Sequence, residues 1–171
     1  MKKIELCMFT IVIAMVQNVF SMDWEGETGP MKTVEEGVKL DKSDMIFEGL
    51  KAGAPINLVI DKEGNTLLHY FLDKAVKSYE EGKYKEMQKE IHRDIKRLLK
   101  YKPDVNVQNY RGETPLHCAA LVDDKKIIKM LLKKGADKEL EDDRGFMPYE
   151  IAEDNGLDDI VKLLKNLKIE E

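Results

Sequence analysis

Apolar side chains recur at the spacing of an α-helix in several short segments of this chain of 171 residues. The segment 160–167 shows the pattern clearly, because Ile160, Leu163, Leu164 and Leu167 alternate with aspartates and lysines. This spacing places apolar groups on one face of a helix and charged groups on the other. Similar segments lie at 45–50, 95–99 and 127–132. The pattern predicts an all-α protein built from short amphipathic helices.

The stretch Gly-Glu-Thr-Pro-Leu-His-Cys-Ala-Ala at 112–120 predicts a turn that leads into a helix. Gly112 permits a positive φ that a side chain would resist, and Pro115 suits the first helical position. The hydroxyl of Thr114 is placed to accept a hydrogen bond from an amide of the first helical turn. A ring nitrogen of His117 is placed to tie this turn to its neighbour. Both side chains are therefore predicted to serve the scaffold.

The same pattern returns along the chain. A second amphipathic segment ends Leu-Leu-x-x-Gly-Ala-Asp at 131–137, and another turn glycine follows at Gly145, 33 residues after Gly112. This unit resembles an ankyrin repeat. A single unit of that kind cannot bury its own apolar face, so neighbouring copies are required. The resemblance extends over about residues 45–168.

The resemblance implies an ankyrin-repeat solenoid of stacked helix-turn-helix units with short hairpin loops and a degenerate N-terminal cap. The repeat domain is predicted at 33–171. Its predicted units are 33–60 as the degenerate cap, 61–108 with an insert at about 72–91, 109–141, and 142–171 as the C-terminal repeat.

The insert follows from the spacing of the turn glycines. Gly64 and Gly112 are 48 residues apart, 15 more than the reference unit requires. Two lengthened helices that meet near Gly82 are predicted, since a long structureless loop is unusual in a compact domain. The sequence leaves open whether they form a binding arm or a spacer. Lys102 stands where Gly135 stands in the next unit, and a left-handed residue there would cost about 1 kcal/mol, so an altered turn is expected.

The N-terminal part has a different character. Residues 1–21 carry two lysines, an apolar core and small residues near Ser21, which predicts a cleaved signal peptide. An uncleaved anchor and an internal helix are the alternatives. Residues 22–32 have the composition of a linker, and Thr33 with Glu36 has the spacing of a capping box, which predicts a helix start at Thr33. Secretion or a periplasmic location is the expected localisation.

Composition narrows the possible partners. Charged residues make up 36% of the chain, the net charge is −5 and the pI is about 5.4, so a nucleic-acid partner is not expected. Of the two cysteines, Cys7 lies in the predicted signal peptide, so no intramolecular disulfide is expected. Cys118 lies beside Ala119 on the first helix of the central unit, where a small apolar side chain packs well.

Candidate catalytic chemistry is sparse. Ser43 and Ser78 stand outside any nucleophile elbow, and phosphate-binding and calcium-binding loops are not found in the sequence. His69 and His117 occupy equivalent repeat positions, which favours a scaffold role over metal binding. The side chain of His117 diverges from that of Cys118 because they are adjacent on a helix. The chain is therefore predicted not to be an enzyme and to need no cofactor or metal; a small hydrolase is the alternative from another class.

The resemblance also indicates where a partner would bind. In ankyrin proteins the hairpin tips and the exposed face of the first helix usually contact the partner. The matching positions here are Lys62, Glu63 and Asn65, then Tyr110, Arg111 and Glu113, then Asp143, Arg144 and Phe146, with Leu121 and Val122 beyond the central first helix. Leu121 and Val122 have an alternative role in packing against the preceding repeat.

The predicted function is that of an exported module that binds a protein partner, with no stable membrane span after signal cleavage and a monomeric state. The chain is similar to short ankyrin proteins of intracellular bacteria, and a host protein is the hypothetical target. A periplasmic inhibitor or protective subunit of an exported protein is the alternative.

Overall fold

The computed structural model describes residues 29–166, so the predicted signal peptide lies outside the described residues. This part of the chain contains eight α-helices and one short 3-10 helix. The helices are α1 Pro30–Lys39, α2 Ser43–Lys51, α3 Leu67–Glu80, α4 Tyr84–Leu98, α5 Pro115–Ala119, α6 Lys125–Leu132, α7 Pro148–Asp154 and α8 Asp158–Asn166, with the 3-10 helix at Leu99–Tyr101. The described residues divide into two compact units, with the boundary between Pro55 and Ile56. The predicted all-α fold is confirmed.

The first unit contains the pair α1 and α2, which pack on each other at two buried glycines. A Cβ at Gly37 would lie 2.8 Å from the backbone nitrogen of Ile46. A Cβ at Gly49 would lie 2.7 Å from the carbonyl oxygen of Pro30. The two helices therefore approach so closely that neither position has room for a side chain.

The predicted N-cap at Thr33 is wrong by four residues, because Gly29 is the N-cap of α1. Helix α1 begins at Pro30, with Gly29 in extended geometry before it. Proline is well suited to the first helical position because its missing N–H would have no partner there. Thr33 lies inside the first turn, where its hydroxyl donates to the carbonyl oxygen of Gly29 at 3.2 Å.

The second unit is a row of three helical hairpins. They are α3 with α4, α5 with α6, and α7 with α8. The first helices α3, α5 and α7 pack side by side, and so do the second helices α4, α6 and α8. The segments around Thr66, Thr114 and Pro148 are thus consecutive layers of one stack, as the repeat pattern predicts.

The core of this stack runs between the two rows of helices. Leu116, Ile127, Ile128 and Leu131 of the central hairpin are completely buried. Ala119 and Ala120 are buried as well, and their small side chains keep the central first helix thin. Burying such aliphatic side chains contributes about 1.5–3 kcal/mol each, a gain that the hairpin obtains only beside its neighbours.

The predicted insert consists of helix. Helices α3 and α4 have 14 and 15 residues, whereas α5 and α6 have 5 and 8. The extensions meet at Gly82, which has a φ of 70°. The prediction of two lengthened helices is confirmed. Near this junction the ring of Tyr84 packs edge to face on that of Tyr79, with 6.0 Å between ring centres.

The altered turn expected at Lys102 is not formed. Lys102 adopts the left-handed conformation with φ 56° and ψ 54°, as Gly135 does at φ 89° in the next hairpin. Asn57 stabilises the loop that follows, since its side-chain oxygen accepts from the backbone N–H of Asp104 at 2.9 Å. Loop contacts of this kind offset the cost of about 1 kcal/mol for a side chain in this conformation.

Candidate functional site

An aspartate or asparagine builds each of the three hairpin tips in the second unit. These residues are Asp61, Asn109 and Asp142. In each tip the side-chain Oδ1 accepts hydrogen bonds from the backbone N–H groups two and four residues further on, at 2.9–3.0 Å. Such side chains replace backbone partners in tight turns. The tips therefore share one geometry that does not depend on the residues exposed between these amides.

Glycine is required at two tips by conformation and by space. Gly64 has a φ of 79°, and a Cβ there would lie 2.7 Å from the ring of Tyr110. Gly112 has a φ of 73°, and a Cβ there would lie 2.6 Å from the backbone nitrogen of Asp143. Neighbouring tips are therefore in direct contact.

Backbone hydrogen bonds join the three tips in a row. The N–H of Tyr110 donates to the carbonyl oxygen of Glu63 at 2.9 Å. In the same way the N–H of Asp143 donates to the carbonyl oxygen of Arg111 at 3.1 Å. The row holds the exposed tip side chains at fixed spacing.

Two buried histidines link each first helix to the following tip. The Nε2 of His69 lies 3.0 Å from the carbonyl oxygen of Glu113, and the Nε2 of His117 lies 2.9 Å from that of Phe146. A carbonyl oxygen only accepts, so both Nε2 atoms carry the proton. The Nδ1 of His117 then accepts from the backbone N–H of Thr114 at 3.1 Å. The predicted scaffold role of both histidines is confirmed.

An open pocket of about 260 Å³ lies between the tips and the first helices. Arg111, Glu113 and Arg144 supply its tip side, and Asp73, Leu121 and Asp154 lie on or just after the first helices. Cys118 and Ile151 add apolar wall. The pocket joins the two kinds of surface, tip and first helix, that the sequence predicted to act together.

The arginines of the pocket are held by neighbouring acids. The Nε of Arg111 donates to Oε2 of Glu113 at 3.0 Å, and Nη2 of Arg144 donates to Oδ2 of Asp142 at 2.7 Å. Burial acts to raise the pKa of Asp142, but hydrogen bonds from the Phe146 N–H and from Arg144 outweigh it and lower the pKa. Arg144 also lies over the ring of Phe146, 5.2 Å from its centre, a cation–π arrangement.

Asp73 has the most perturbed carboxyl group of the pocket. Burial raises its pKa from 3.8 to about 6, although a hydrogen bond with the thiol of Cys118 acts in the opposite direction. Burial also raises the pKa of the Cys118 thiol well above its ordinary value. The cysteine is therefore a protonated hydrogen-bond donor to Asp73 at neutral pH rather than a nucleophile.

The predicted contact residues differ in accessibility. Lys62, Tyr110, Arg111, Asp143 and Arg144 are exposed, and Glu63, Glu113, Leu121 and Phe146 are half-buried. Tyr110 is 73% exposed, the highest fraction among the exposed large hydrophobic side chains of the described residues. Arg111, Glu113, Leu121 and Arg144 come together in the pocket, whereas Lys62 and Asp143 do not line it.

Two of the predicted contact residues are buried in the structure. Val122 is completely buried, which agrees with a packing role. Asn65 is 6% exposed, and its Oδ1 accepts from Nδ2 of Asn109 at 3.0 Å. Both residues therefore stabilise the stack rather than offer a contact surface.

Sequence reasoning missed Asp73 and Asp154. They are the repeat equivalents of Leu121, which lies 48 residues after Asp73 and 33 residues before Asp154. These intervals are the same as those between the turn glycines. The repeat register alone therefore contained the signal that places all three on one surface.

The described helices lack features of two other kinds of site. None of the helices between residues 29 and 166 combines the length and apolar character needed to cross a membrane. In the same range no group of three or more His, Cys, Asp or Glu side chains is arranged to hold a metal ion.

Stacked helical hairpins with projecting tips define a solenoid protein of the repeat class. Residues 87–170 match the family described as ankyrin repeats in three copies. The chain is an ankyrin-repeat protein, and ankyrin repeats form a protein-binding fold without catalysis of its own.

Three curated relatives are similar to this chain over part of their length. NF-kappa-B inhibitor alpha of Sus scrofa is 30% identical over 109 residues, which is 64% of this chain and 31% of that protein. ADP-ribosylation factor GTPase-activating protein AGD4 of Arabidopsis thaliana is 39% identical over 59 residues, 34% of this chain and 8% of that protein. An L-asparaginase of Dirofilaria immitis is 37% identical over 65 residues, 38% of this chain and 11% of that protein. The chain spans less than a third of the length of each.

Proposed function

We propose that this protein is an exported module that binds a protein partner through its hairpin tips and first-helix surface. The observation that carries the proposal is the convergence of Arg111, Leu121 and Arg144 on one open pocket of about 260 Å³. Arginine beside apolar and aromatic groups is typical of the centres of protein interfaces. Tyr110, exposed on the same tip as Arg111, extends this surface towards Gly64 of the first tip.

The charge of the pocket favours a basic group on the partner. Asp73, Glu113 and Asp154 contribute three carboxyl groups. Against them stand Arg111, which is paired with Glu113, and Arg144, which is paired with Asp142. A lysine or arginine of the partner, flanked by apolar side chains that contact Leu121, would complement this arrangement.

Export is supported by the charge and hydropathy pattern of residues 1–21 alone. A host protein is the proposed target, and a periplasmic protein is the alternative. Fusing residues 1–21 to a reporter that is active only outside the cytoplasm tests export. Reporter activity supports it, and an inactive, uncleaved fusion contradicts it.

Photocrosslinking tests the binding surface. A photoreactive amino acid placed at Leu121 is expected to crosslink the partner, whereas the same group at Lys89, exposed on α4, is not. The double variant Tyr110→Ala/Phe146→Ala is expected to recover less partner in a pull-down. Tyr79→Ala is the matched control, since Tyr79 is also an exposed tyrosine but lies on α3 away from the tips. If the double variant and the control recovered the partner equally well, the proposed binding surface would be wrong.

A further inference from the structure

A second groove, of about 340 Å³, lies between the second helices α4 and α6. Five lysines surround it, namely Lys96, Lys100, Lys126, Lys133 and Lys134. Its floor is formed by Leu99, which is buried, and Met130, which is half-buried. The pocket at the tips is lined by other residues, so the two surfaces are separate. We refer to this feature as the lysine groove.

The lysine groove forms where two basic stretches meet in the fold. Neither 96–102 nor 125–134 contains an aspartate or glutamate, although the chain as a whole has a net charge of −5. All five lysines are exposed. None of them forms an ion pair with another residue between 29 and 166. The lysines of the groove are therefore not paired with a carboxylate in the described part of the protein.

Helix electrostatics explain only some of these lysines. Lys133 and Lys134 follow α6, where the negative end of the helix dipole favours a cation. Lys126 lies in the first turn of the same helix, where the positive end disfavours one. Mutual repulsion of the lysines adds to this cost. A ligand of negative charge would relieve both effects.

The shape and composition of the groove select among anionic ligands. Its apolar floor is recessed, whereas a protein that lies on a membrane inserts projecting apolar side chains. No aromatic side chain and no arginine lines it, so the stacking platform and the bidentate phosphate contacts that nucleic acids use are missing from its lining. A recessed apolar floor with a cationic rim instead fits one apolar side chain flanked by carboxylates.

We propose that the lysine groove binds an acidic protein segment that carries an apolar anchor residue. The anchor contacts Leu99 and Met130, and the flanking carboxylates pair with the lysines of the rim. This surface lies on the second helices, so it acts independently of the surface formed by the tips and first helices.

Fluorescence anisotropy with the whole chain tests the proposal. The probe is a short labelled peptide with a central leucine between glutamates. Lys126→Glu/Lys133→Glu is expected to weaken binding roughly tenfold or more, because two ion pairs with the peptide are lost and two repulsions replace them. Lys77→Glu/Lys83→Glu, near the junction of α3 and α4, makes the same change of charge away from the groove and is expected to leave binding unchanged. Added salt is expected to weaken binding of the wild-type protein.

Control ligands separate the contributions. A peptide with serine in place of leucine, and one with glutamines in place of glutamates, are both expected to bind more weakly. Met130→Ser is expected to affect the leucine peptide more than the serine peptide. Equal binding by wild-type protein and the double lysine variant would overturn the proposal. The proposal would also be overturned if the protein bound anionic vesicles or a single-stranded oligonucleotide more tightly than the peptide, and the peptide did not displace them. Circular dichroism of each variant confirms that it is folded.

Discussion

The hydroxyl of Tyr84 donates a hydrogen bond of 2.6 Å to Oδ2 of Asp124, across 40 residues of chain. Gln88 and His92 contact the same oxygen at 2.8 and 2.6 Å. The other oxygen, Oδ1, accepts from the backbone N–H groups of Lys126 and Ile127 and so caps α6. One buried carboxylate therefore connects the lengthened helix α4 to the start of α6.

Removing Asp124 is expected to destabilise the protein in two steps. Asp124→Asn keeps a good helix cap but loses the charge, and is expected to cost about 1 kcal/mol. Asp124→Ala loses the cap too and is expected to cost about 2–3 kcal/mol. Urea unfolding measures both. A loss of stability for Ala but none for Asn would show that only the cap matters.

The same carboxylate predicts a dependence on pH. Burial acts to raise the pKa of Asp124, but the hydrogen bonds from Tyr84, Gln88 and His92 outweigh it and lower the pKa. The unfolded chain then binds the proton more tightly than the folded protein does. The stability contributed by Asp124 is present above the ordinary pKa of 3.8 and is lost as pH falls through the lower folded value. The difference in free energy of unfolding between wild type and Asp124→Asn is therefore expected to become smaller as the pH falls. Urea unfolding at several pH values would measure it.

Asp73 is expected to show the opposite pH dependence. Burial raises its pKa to about 6, so the folded protein holds this proton more tightly than the unfolded chain. Its ionised carboxylate opposes folding at pH 7, and this effect fades as pH falls through about 6 towards 3.8. Asp73→Asn is expected to raise stability at pH 7 by less than about 1 kcal/mol, because solvent screens the exposed part of the group. If the melting temperatures of wild type and Asp73→Asn differed as much at pH 4.5 as at pH 7, the raised pKa of Asp73 would be contradicted.

Two turn glycines offer a test of the contact between tips. In Gly145→Ala the new Cβ would have no atom within 4 Å. The only cost is that of a side chain in the left-handed conformation, about 1–2 kcal/mol. Gly112→Ala has nearly the same φ but would also collide with the backbone of Asp143. It is expected to cost about 1–3 kcal/mol more. Equal losses of unfolding free energy would mean that neighbouring tips are not in close contact.

Leu131→Ala is expected to cost about 2–5 kcal/mol as a core truncation that leaves a cavity. Leu131 is completely buried in α6, whereas Leu163 in α8 is only half-buried. Leu163→Ala is therefore the matched control and should cost less. Chemical denaturation measures the difference. An unchanged denaturation midpoint for Leu131→Ala would show that α6 does not pack in the core as described.

Much of the fold follows from local sequence. Pro115, Thr114 and His117 each do in the structure what their positions in the turn predict, because capping and turn formation depend on neighbours only a few residues away. The lengthened helices around Gly82 followed from spacing alone. The repeat register also placed Arg111 and Arg144 at equivalent tips, where they meet in one pocket.

The remaining features depend on contacts that local sequence does not specify. Lys102 accepts a left-handed conformation despite its side chain. Val122 is buried, although its position also suited an exposed surface. The lysine groove unites 96–102 with 125–134, and their approach requires α4 and α6 to pack side by side. Asp124 collects donors from a neighbouring hairpin for the same reason.

The hydrogen bonds that shape each tip use one aspartate or asparagine and the main chain. Lys62, Tyr110 and Asp143 directly follow those residues and take no side-chain part in the turn itself. Mutation at these three positions can therefore change what the surface recognises while the backbone stays as it is. A scaffold of this kind can acquire a new binding specificity through substitutions at a few exposed positions, with little loss of stability.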